Sequence, residues 1–449
     1  MNKPLSKVRV AKLELYRQQG KIHAREVAGR FNRLRWATVW ITQAIFYGAC
    51  WLTWDSQGVS RQAILIDIAH EKLYLFGLVL WPQDALLLAL ALIVAASGLF
   101  LVTALAGRLF CGFACPQTVY TMIFTWIEAR VEGDHLARLK LDRSPASLGK
   151  VGRKVLKHAL WVLLAAWTAI TFVGYFTPIR DLLPSLPALQ TGPWEAFWLI
   201  FYGSFTYVQA GLAREAVCQH MCPYSRFQGV MFDPATANVA YDRARGEPRR
   251  GGGDCVDCGI CVEVCPTGID IRDGLQYPCI NCGLCIDACD QVMDRIGKAR
   301  GLIRFAAEKQ QVGRRPRLAV YGALLLAAVL LGAGYLAERS LLRVDVLRDR
   351  GALARETAEG GIENAYTLKL MNLADVPRHF RVAVSGLAGL EIVGSDRFSV
   401  APGSIRPVTL TVAATPADLP TGIRPITFEI VAEDDPAIRV REPSSFVLP

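Results

Sequence analysis

Cys255-Val-Asp-Cys258-Gly-Ile-Cys261-Val-Glu-Val-Cys265-Pro266, resumed at Cys279-Ile-Asn-Cys282-Gly-Leu-Cys285-Ile-Asp-Ala-Cys289-Asp290, is the stretch that decides how this chain folds. The pattern C-x2-C-x2-C-x3-C occurs twice. Two-residue gaps let three thiolates of one tight loop reach three different metal atoms, and a more distant cysteine closes the fourth corner. Gly259 and Gly283 fall inside these loops, where a residue without Cβ tolerates unusual backbone angles and close approach to sulfide.

The spacing is that of bacterial two-cluster ferredoxins, in which the fourth cysteine of each run ligates the other cluster. It predicts one [4Fe–4S] cube on Cys255, Cys258, Cys261 and Cys289, and a second on Cys279, Cys282, Cys285 and Cys265. A pair of zinc sites is the structural alternative, since short-spaced cysteines also suit tetrahedral zinc. Zinc gives no reason for the crossed three-plus-one pattern or for Pro266. The second run ends Cys289-Asp290 where the first has Cys265-Pro266, a departure that bears on the turn and not on the ligands.

Outside these runs the chain is apolar. Of 449 residues, 52% are hydrophobic and only 20% charged, which predicts membrane helices joined to soluble parts. Five stretches are long enough for a hydrocarbon core that takes on the order of 20 helical residues. They run over residues 36–54, 84–107, 155–176, 194–213 and 318–337. The net charge of +10 does not predict a nucleic-acid partner, because Lys and Arg flank the apolar segments instead of forming one aromatic-interleaved patch. The leader up to Arg35 holds ten Lys and Arg, the loop 55–83 only Arg61 and Lys72. By the positive-inside rule the N-terminus and the cysteine runs are expected in the cytoplasm of a bacterium, with the residues after 338 in the periplasm. No cleavable signal peptide is read at the N-terminus. Val8, Val10, Leu13 and Leu15 have helical spacing in the basic leader and could lie along anionic lipid.

The tail 339–449 changes character. Alternating runs such as Tyr366–Met371, Phe380–Val384, Val408–Val412 and Ile426–Val431, separated by Gly, Pro, Asp and Asn, predict an immunoglobulin-like β-sandwich. The fold class expected is therefore an α-helical membrane bundle of about five spans, with an inserted two-cluster ferredoxin-like domain and a C-terminal β-sandwich. In domains, this reads as a basic leader (1–35), a four-span region (36–213), the ferredoxin-like domain (214–316), a fifth span (317–338) and the sandwich (339–449).

Two further pairs attract notice: Cys111-Gly-Phe-Ala-Cys115-Pro116 after the second apolar stretch, and Cys218-Gln-His-Met-Cys222-Pro223 after the fourth. Both should face the same side as the ferredoxin-like domain and could form one four-thiolate site. At i and i+4 of a helix, the sulfurs of a pair would share a face. Soft thiolates select Cu(I), zinc or iron–sulfur clusters, and His220 or Met221 could add a ligand suited to copper. The bland alternative is a pair of reduced structural thiols at helix ends. Cys50 reads as a small buried hydrophobe, and His23, His70, His135, His158 and His379 as surface or packing residues. Arg272 and Arg295 lie close enough in sequence to tune a cluster.

These residues resemble the membrane-bound accessory proteins of the cbb-type haem–copper oxidase known as CcoG, RdxA or FixG. The resemblance rests on Trp81-Pro-Gln-Asp84, on Cys111 to Gln117 with Ile127-Glu128 and Glu132-Gly133, and on Cys222-Pro-Tyr-Ser-Arg-Phe-Gln228. It extends through Tyr241-Asp242, Arg245-Gly-Glu-Pro-Arg249, the double cysteine run and Val292-Met293. It implies an oxidoreductase with two [4Fe–4S] clusters that reduces Cu(II) to Cu(I) for oxidase assembly, with copper handled by Cys111, Cys115, Cys218 and Cys222. The partners implied are copper ion, copper chaperones or oxidase assembly factors, membrane lipid and an unidentified electron donor. A second copy of the chain could complete a thiolate site, making a homodimer. Two rival readings stand beside this one: a quinol-oxidising conduit to a periplasmic reductase, and an assembly scaffold with purely structural clusters.

Overall fold

A computed structural model describes residues 22–56, 59–307, 315–349, 354–356, 361–374, 376–414 and 422–448. The helical spacing of Val8 to Leu15 lies outside these residues. The chain divides into two compact units: Met1–Thr42, Leu99–Trp167 and Phe201–Ala319 form the first, and Gln43–Gly98, Thr168–Ile200 and Val320–Pro449 the second.

Among the described residues, three helices are long and apolar enough to cross a membrane: Pro82–Ala106, Leu148–Val173 and Pro316–Glu338. They coincide with the second, third and fifth stretches expected. The first expected stretch forms a helix at Arg30–Ala49, which starts earlier and takes in Arg30, Arg33 and Arg35. It stops short of Trp54 because Thr53–Ser56 pairs with Val59–Gln62 as a hairpin. The fourth forms a 14-residue α-helix, Pro193–Thr206, which widens into a π-helical turn at Tyr207–Ala213.

In the first unit the cysteine runs fold as a repeat. Gly259 (φ 73°) and Gly283 (φ 75°) are the left-handed residues that open the short helices Ile260–Glu263 and Leu284–Arg295. Asp257 and Asn281, each just before the second cysteine of its run, also have positive φ, at 53° and 54°. Asp and Asn are among the few side chains that accept this geometry. Strands Asn238–Tyr241 and Ile303–Ala306 pair antiparallel and bracket both runs. Their Val239, Tyr241 and Ile303 join Cys255, Cys261, Cys279, Ile286 and Met293 in one apolar cluster.

In the second unit the tail is a two-sheet sandwich. One sheet has the order Leu390–Val393, Ile405–Ala414, Ile362–Asn372, Leu342–Arg348, with Arg355–Glu356 on Ile362–Asn372. The other runs Arg397–Val400, Arg378–Ser385, Gly422–Ala432, Arg439–Leu448. Alternate residues point inward, as the period-two pattern requires, so Tyr366, Leu368 and Leu370 meet Phe380, Phe428 and Phe446 in the core. Tyr366 and Phe428 meet edge to face at 5.0 Å. Buried Tyr366 keeps its hydroxyl satisfied by donating to the Ser445 carbonyl at 2.9 Å. The loop expected at 55–83 instead carries three-stranded pairing, Ile64–Asp67, Lys72–Leu75 and Leu78–Leu80. Its Val79 and Trp81 pack on Met371 and Leu373 of the sandwich. Cys50 is buried against Val173, Ile179 and Leu182, as a small hydrophobe would be.

Candidate iron–sulfur and thiolate site

The two cysteine runs line two small cavities. Cys255, Cys258, Cys261 and Cys289 border one, with Arg272 and Tyr241 beside them. Cys265, Cys279, Cys282 and Cys285 border another, together with Cys261. The fourth cysteine of each run thus lies with the first three of the other. Among the described residues, no three His, Cys, Asp or Glu groups converge tightly enough for a single metal ion. One tetrahedral zinc draws its sulfurs in with bonds of about 2.3 Å. A [4Fe–4S] cube seats each thiolate on a different iron, so its four sulfurs stand farther apart. Four cysteines around each cavity match the four irons of a cube, one thiolate to each.

Burial disfavours the thiolate form in these cavities. Burial first, with neighbouring cysteines adding to it, pushes Cys279 and Cys289 up to about 12 and Cys261 to about 11. Binding a metal as thiolate, Cys261, Cys279 and Cys289 would each give up a proton. Arg272 supplies a fixed positive charge at the first cavity. It pairs with Asp270 and Asp257 at 2.6 Å each, and its charge favours the thiolate of Cys261. Arg295 ends the helix Leu284–Arg295 and is solvent-exposed.

The two C-x3-C-P segments are twin turns. They do not place both sulfurs of a pair on one helical face, as i,i+4 spacing suggested. Helix Leu109–Phe113 ends at Ala114, and Cys115 is an extended N-cap (φ −63°, ψ 127°) for the helix Pro116–Glu132. Cys218 lies in a π-helical turn, Val217–Met221, and Cys222 is likewise extended (φ −78°, ψ 111°) before Pro223–Met231. The reason is local: a residue before proline is forced out of the helical region, while proline itself suits the first helical position. In both turns the second cysteine donates its N–H five residues back, Cys115 to the Phe110 carbonyl at 2.9 Å and Cys222 to that of Val217 at 2.8 Å. In both, a hydroxyl three residues beyond the proline-capping cysteine donates to the carbonyl of the first: Thr118 to Cys111 at 2.6 Å, Ser225 to Cys218 at 3.1 Å.

The twins are drawn together. Cys111 feels the charge of Cys115, Cys218 and Cys222, and Cys115 that of Cys222. Burial first, then these neighbours, push Cys111 and Cys218 up to about 12. Gln117 ties one turn to the other, donating to the carbonyls of Gln209 at 2.9 Å and Arg214 at 3.1 Å. Gln228 accepts from the Cys111 thiol at 3.3 Å. The four sulfurs nevertheless do not converge for one ion as they stand. His220 is exposed and Met221 is 64% exposed.

The thiol turns also pack on the second cysteine run. Cys111 joins the apolar cluster of Ile280, Cys282, Leu284 and Cys285. Buried Arg108 bridges the same parts, donating to the carbonyls of Ser225 at 2.7 Å and Cys279 at 3.2 Å. Behind the first turn, Glu128 is fully buried among Arg214 at 2.6 Å, Lys157 at 3.5 Å and Arg138 at 3.7 Å. Glu132 pairs with Lys157 at 2.8 Å and Lys154 at 3.0 Å. Sequence reading missed Arg108, Gln117 and this ion network, although Glu128 and Glu132 stood among the residues that carried the resemblance. A charged residue inside an apolar stretch, as Lys157 is, was the available signal. Of the histidines, His23 is buried and pairs with Asp142 at 2.8 Å, while His70 pairs with Asp67 on the surface.

Two clusters of four cysteines in one chain with apolar helices define the class: an iron–sulfur electron-transfer protein of a membrane. Comparison with known sequences agrees. Residues 213–252 and 248–308 match a 4Fe-4S dicluster domain, residues 88–132 a 4Fe-4S binding domain, and residues 333–449 the immunoglobulin-like fold at the C-terminus of FixG. The nitrogen fixation protein FixG of Rhizobium meliloti is 36% identical, covering 89% of this chain and 85% of its own. Protein RdxA of Cereibacter sphaeroides is 40% identical and protein RdxB of the same organism 39%, each covering 84% of both chains. The chain belongs to the FixG/RdxA family.

Proposed function

We propose that this protein reduces Cu(II) to Cu(I) at the membrane, one electron per ion, and passes the product on for assembly of a cbb-type oxidase. Cys255, Cys258, Cys261 and Cys289 would hold one [4Fe–4S] cluster, and Cys265, Cys279, Cys282 and Cys285 the other. Such clusters supply single electrons at a potential set by charge, hydrogen bonds to sulfur and exposure. Cys111, Cys115, Cys218 and Cys222 receive the copper substrate. A pair of thiolates suffices for the soft Cu(I) ion, so the product is favoured over Cu(II) where it forms.

The observation that carries this reading is the packing of Gly112, between the two cysteines of the first turn, directly on the backbone of Ile280–Cys282. It leaves no side-chain layer between the soft thiols and the second cysteine run. The protein would lie in a bacterial inner membrane with the ferredoxin-like part cytoplasmic and the sandwich periplasmic, handing copper to an assembly chaperone. The test uses anaerobically purified full-length protein, reduced with dithionite and freed of excess reductant, then given Cu(II) and a Cu(I)-specific chelator. The variant with serine at all four membrane-end cysteines should keep its iron and lose both Cu(I) formation and retention. Unchanged copper reduction in that variant would remove the proposed role.

A further inference from the structure

Each Cu(II) reduced consumes an electron, and a cavity in the first unit is built to admit a source of them. It has a volume of about 420 Å3, within the roughly 300–1,000 Å3 typical of small-molecule sites. Both cysteine runs contribute to its wall: Ile280 and Leu284 of the second run and Pro266, directly after Cys265, of the first line it, and Cys218 of the second thiol turn does too. The cavity therefore touches both parts of the site already described.

Its chemistry selects a neutral, flat, amphipathic ligand. Trp36, Met122 and Trp126 offer apolar and aromatic surface, with Trp36 and Trp126 edge to face at 6.3 Å. Thr121 and Thr125 offer hydroxyls. Three of the four arginines on its border are engaged outside it, Arg25 with Glu263 at 3.0 Å, Arg214 with Glu128 at 2.6 Å and Arg35 with the Gly112 carbonyl at 3.1 Å, while Arg130 lies over the Trp126 ring at 5.4 Å. A nucleotide donor would need such cations for its phosphates. One side of it borders an apolar surface: Trp126 is 42% exposed, and Trp36 meets Trp40 at 6.5 Å, where Trp40 and Ile41 present an exposed apolar face. Aromatic residues of this kind mark the membrane–water boundary.

We infer that this cavity binds the ring of a lipid-borne quinone and that the corresponding hydroquinone is the reductant. The second half rests on the proposed copper reaction. The balance is one hydroquinone and two Cu(II) giving one quinone, two Cu(I) and two protons. The protons leave to water at the border, where Glu26 and Glu215 stand.

Binding is measured first, without turnover: full-length protein in nanodiscs is titrated with a short-chain ubiquinone, and bound quinone is counted by extraction. The expected result is saturable binding of one quinone per chain, weakened about tenfold or more by Thr125→Trp, which fills the cavity, and retained by Thr125→Ser. Melting temperature and iron content check that the tryptophan variant folds; if it does not, Trp126→Ala takes its place, with weaker binding expected. Equal binding in wild type and variant, no binding beyond lipid partition, or displacement by a flavin or nicotinamide nucleotide overturns the inference. Dithionite-driven copper reduction is measured on the same wild-type sample. Its failure alongside intact quinone binding strikes the copper reaction and leaves the site standing.

Discussion

A methyl group on Gly112 would stand 2.6 Å from the Ile280 carbonyl oxygen and 3.0 Å from the Cys282 Cα. The first thiol turn and the second cysteine run therefore meet backbone to backbone, and neither partner is a flexible side chain that could move aside. Gly112→Ala should push the two apart and destabilise the protein by about 1–3 kcal/mol. Iron content should hold while the rate of Cu(I) formation from dithionite-reduced protein falls. A thermal melt and a chelator assay on the same preparation check both halves.

Iron should count about eight per chain if only the eight cysteines of residues 255–289 hold cubes. Cys111→Ser and Cys222→Ser should leave that number and the low-temperature EPR signal of the reduced protein unaltered. Loss of about four irons in either variant would mean that the thiol turns hold a cluster themselves.

Copper capture should release protons. With Cys111 and Cys218 pushed up to about 12 by burial, both are neutral thiols at neutral pH, and Cu(I) binds thiolates. Apparent Cu(I) affinity should rise with pH by about tenfold per unit for each proton displaced, flattening near pH 12. The same shift has a stability consequence of opposite sign. An unfolded thiol ionises from its ordinary 9.0, whereas the folded one holds its proton to about 12. Above pH 9 the unfolded chain then binds fewer protons than the native one, and the metal-free protein loses stability as pH rises through that window. Proton release in a weak buffer and melting curves from pH 7 upward test the two effects.

Arg272 stands at the first cysteine cavity, held by Asp270 and Asp257. Arg272→Gln removes a positive charge beside Cys261 and should make one of two redox transitions harder to reach, shifting it to more negative potential while the other stays. A potentiometric EPR titration that moves both equally, or neither, would contradict this placement.

Asp84 is buried at the head of an apolar helix, with Arg339 at 2.6 Å and Arg343 at 3.4 Å. Asp84→Asn leaves the buried Arg339 guanidinium without its carboxylate and should cost about 3–5 kcal/mol. The expected sign is a lowered melting temperature with unchanged iron, because the cysteine runs belong to the other unit.

The cysteine spacing alone carries the crossed assignment, because three thiolates from one loop leave the fourth corner to a distant residue; the structure places Cys289 beside Cys255, Cys258 and Cys261, and Cys265 beside Cys279, Cys282 and Cys285. Period-two alternation in Tyr366–Met371 and Ile426–Val431 likewise announced the sandwich, since each sheet has one buried face. The hairpins at residues 53–80 were illegible, for their strands are three or four residues long and their packing on Met371 and Leu373 is remote in sequence.

What the sequence by itself determined were the ligand-bearing runs, the apolar helices and the β-tail, all of which follow from residue type at short, regular spacing. Only the tertiary structure decided that Gly112 lies on Cys282, that Arg108 bridges Ser225 and Cys279, and that a cavity opens beside Pro266. Those relationships join residues far apart in the chain, and a contact of that kind depends on how whole elements pack, which local periodicity does not encode.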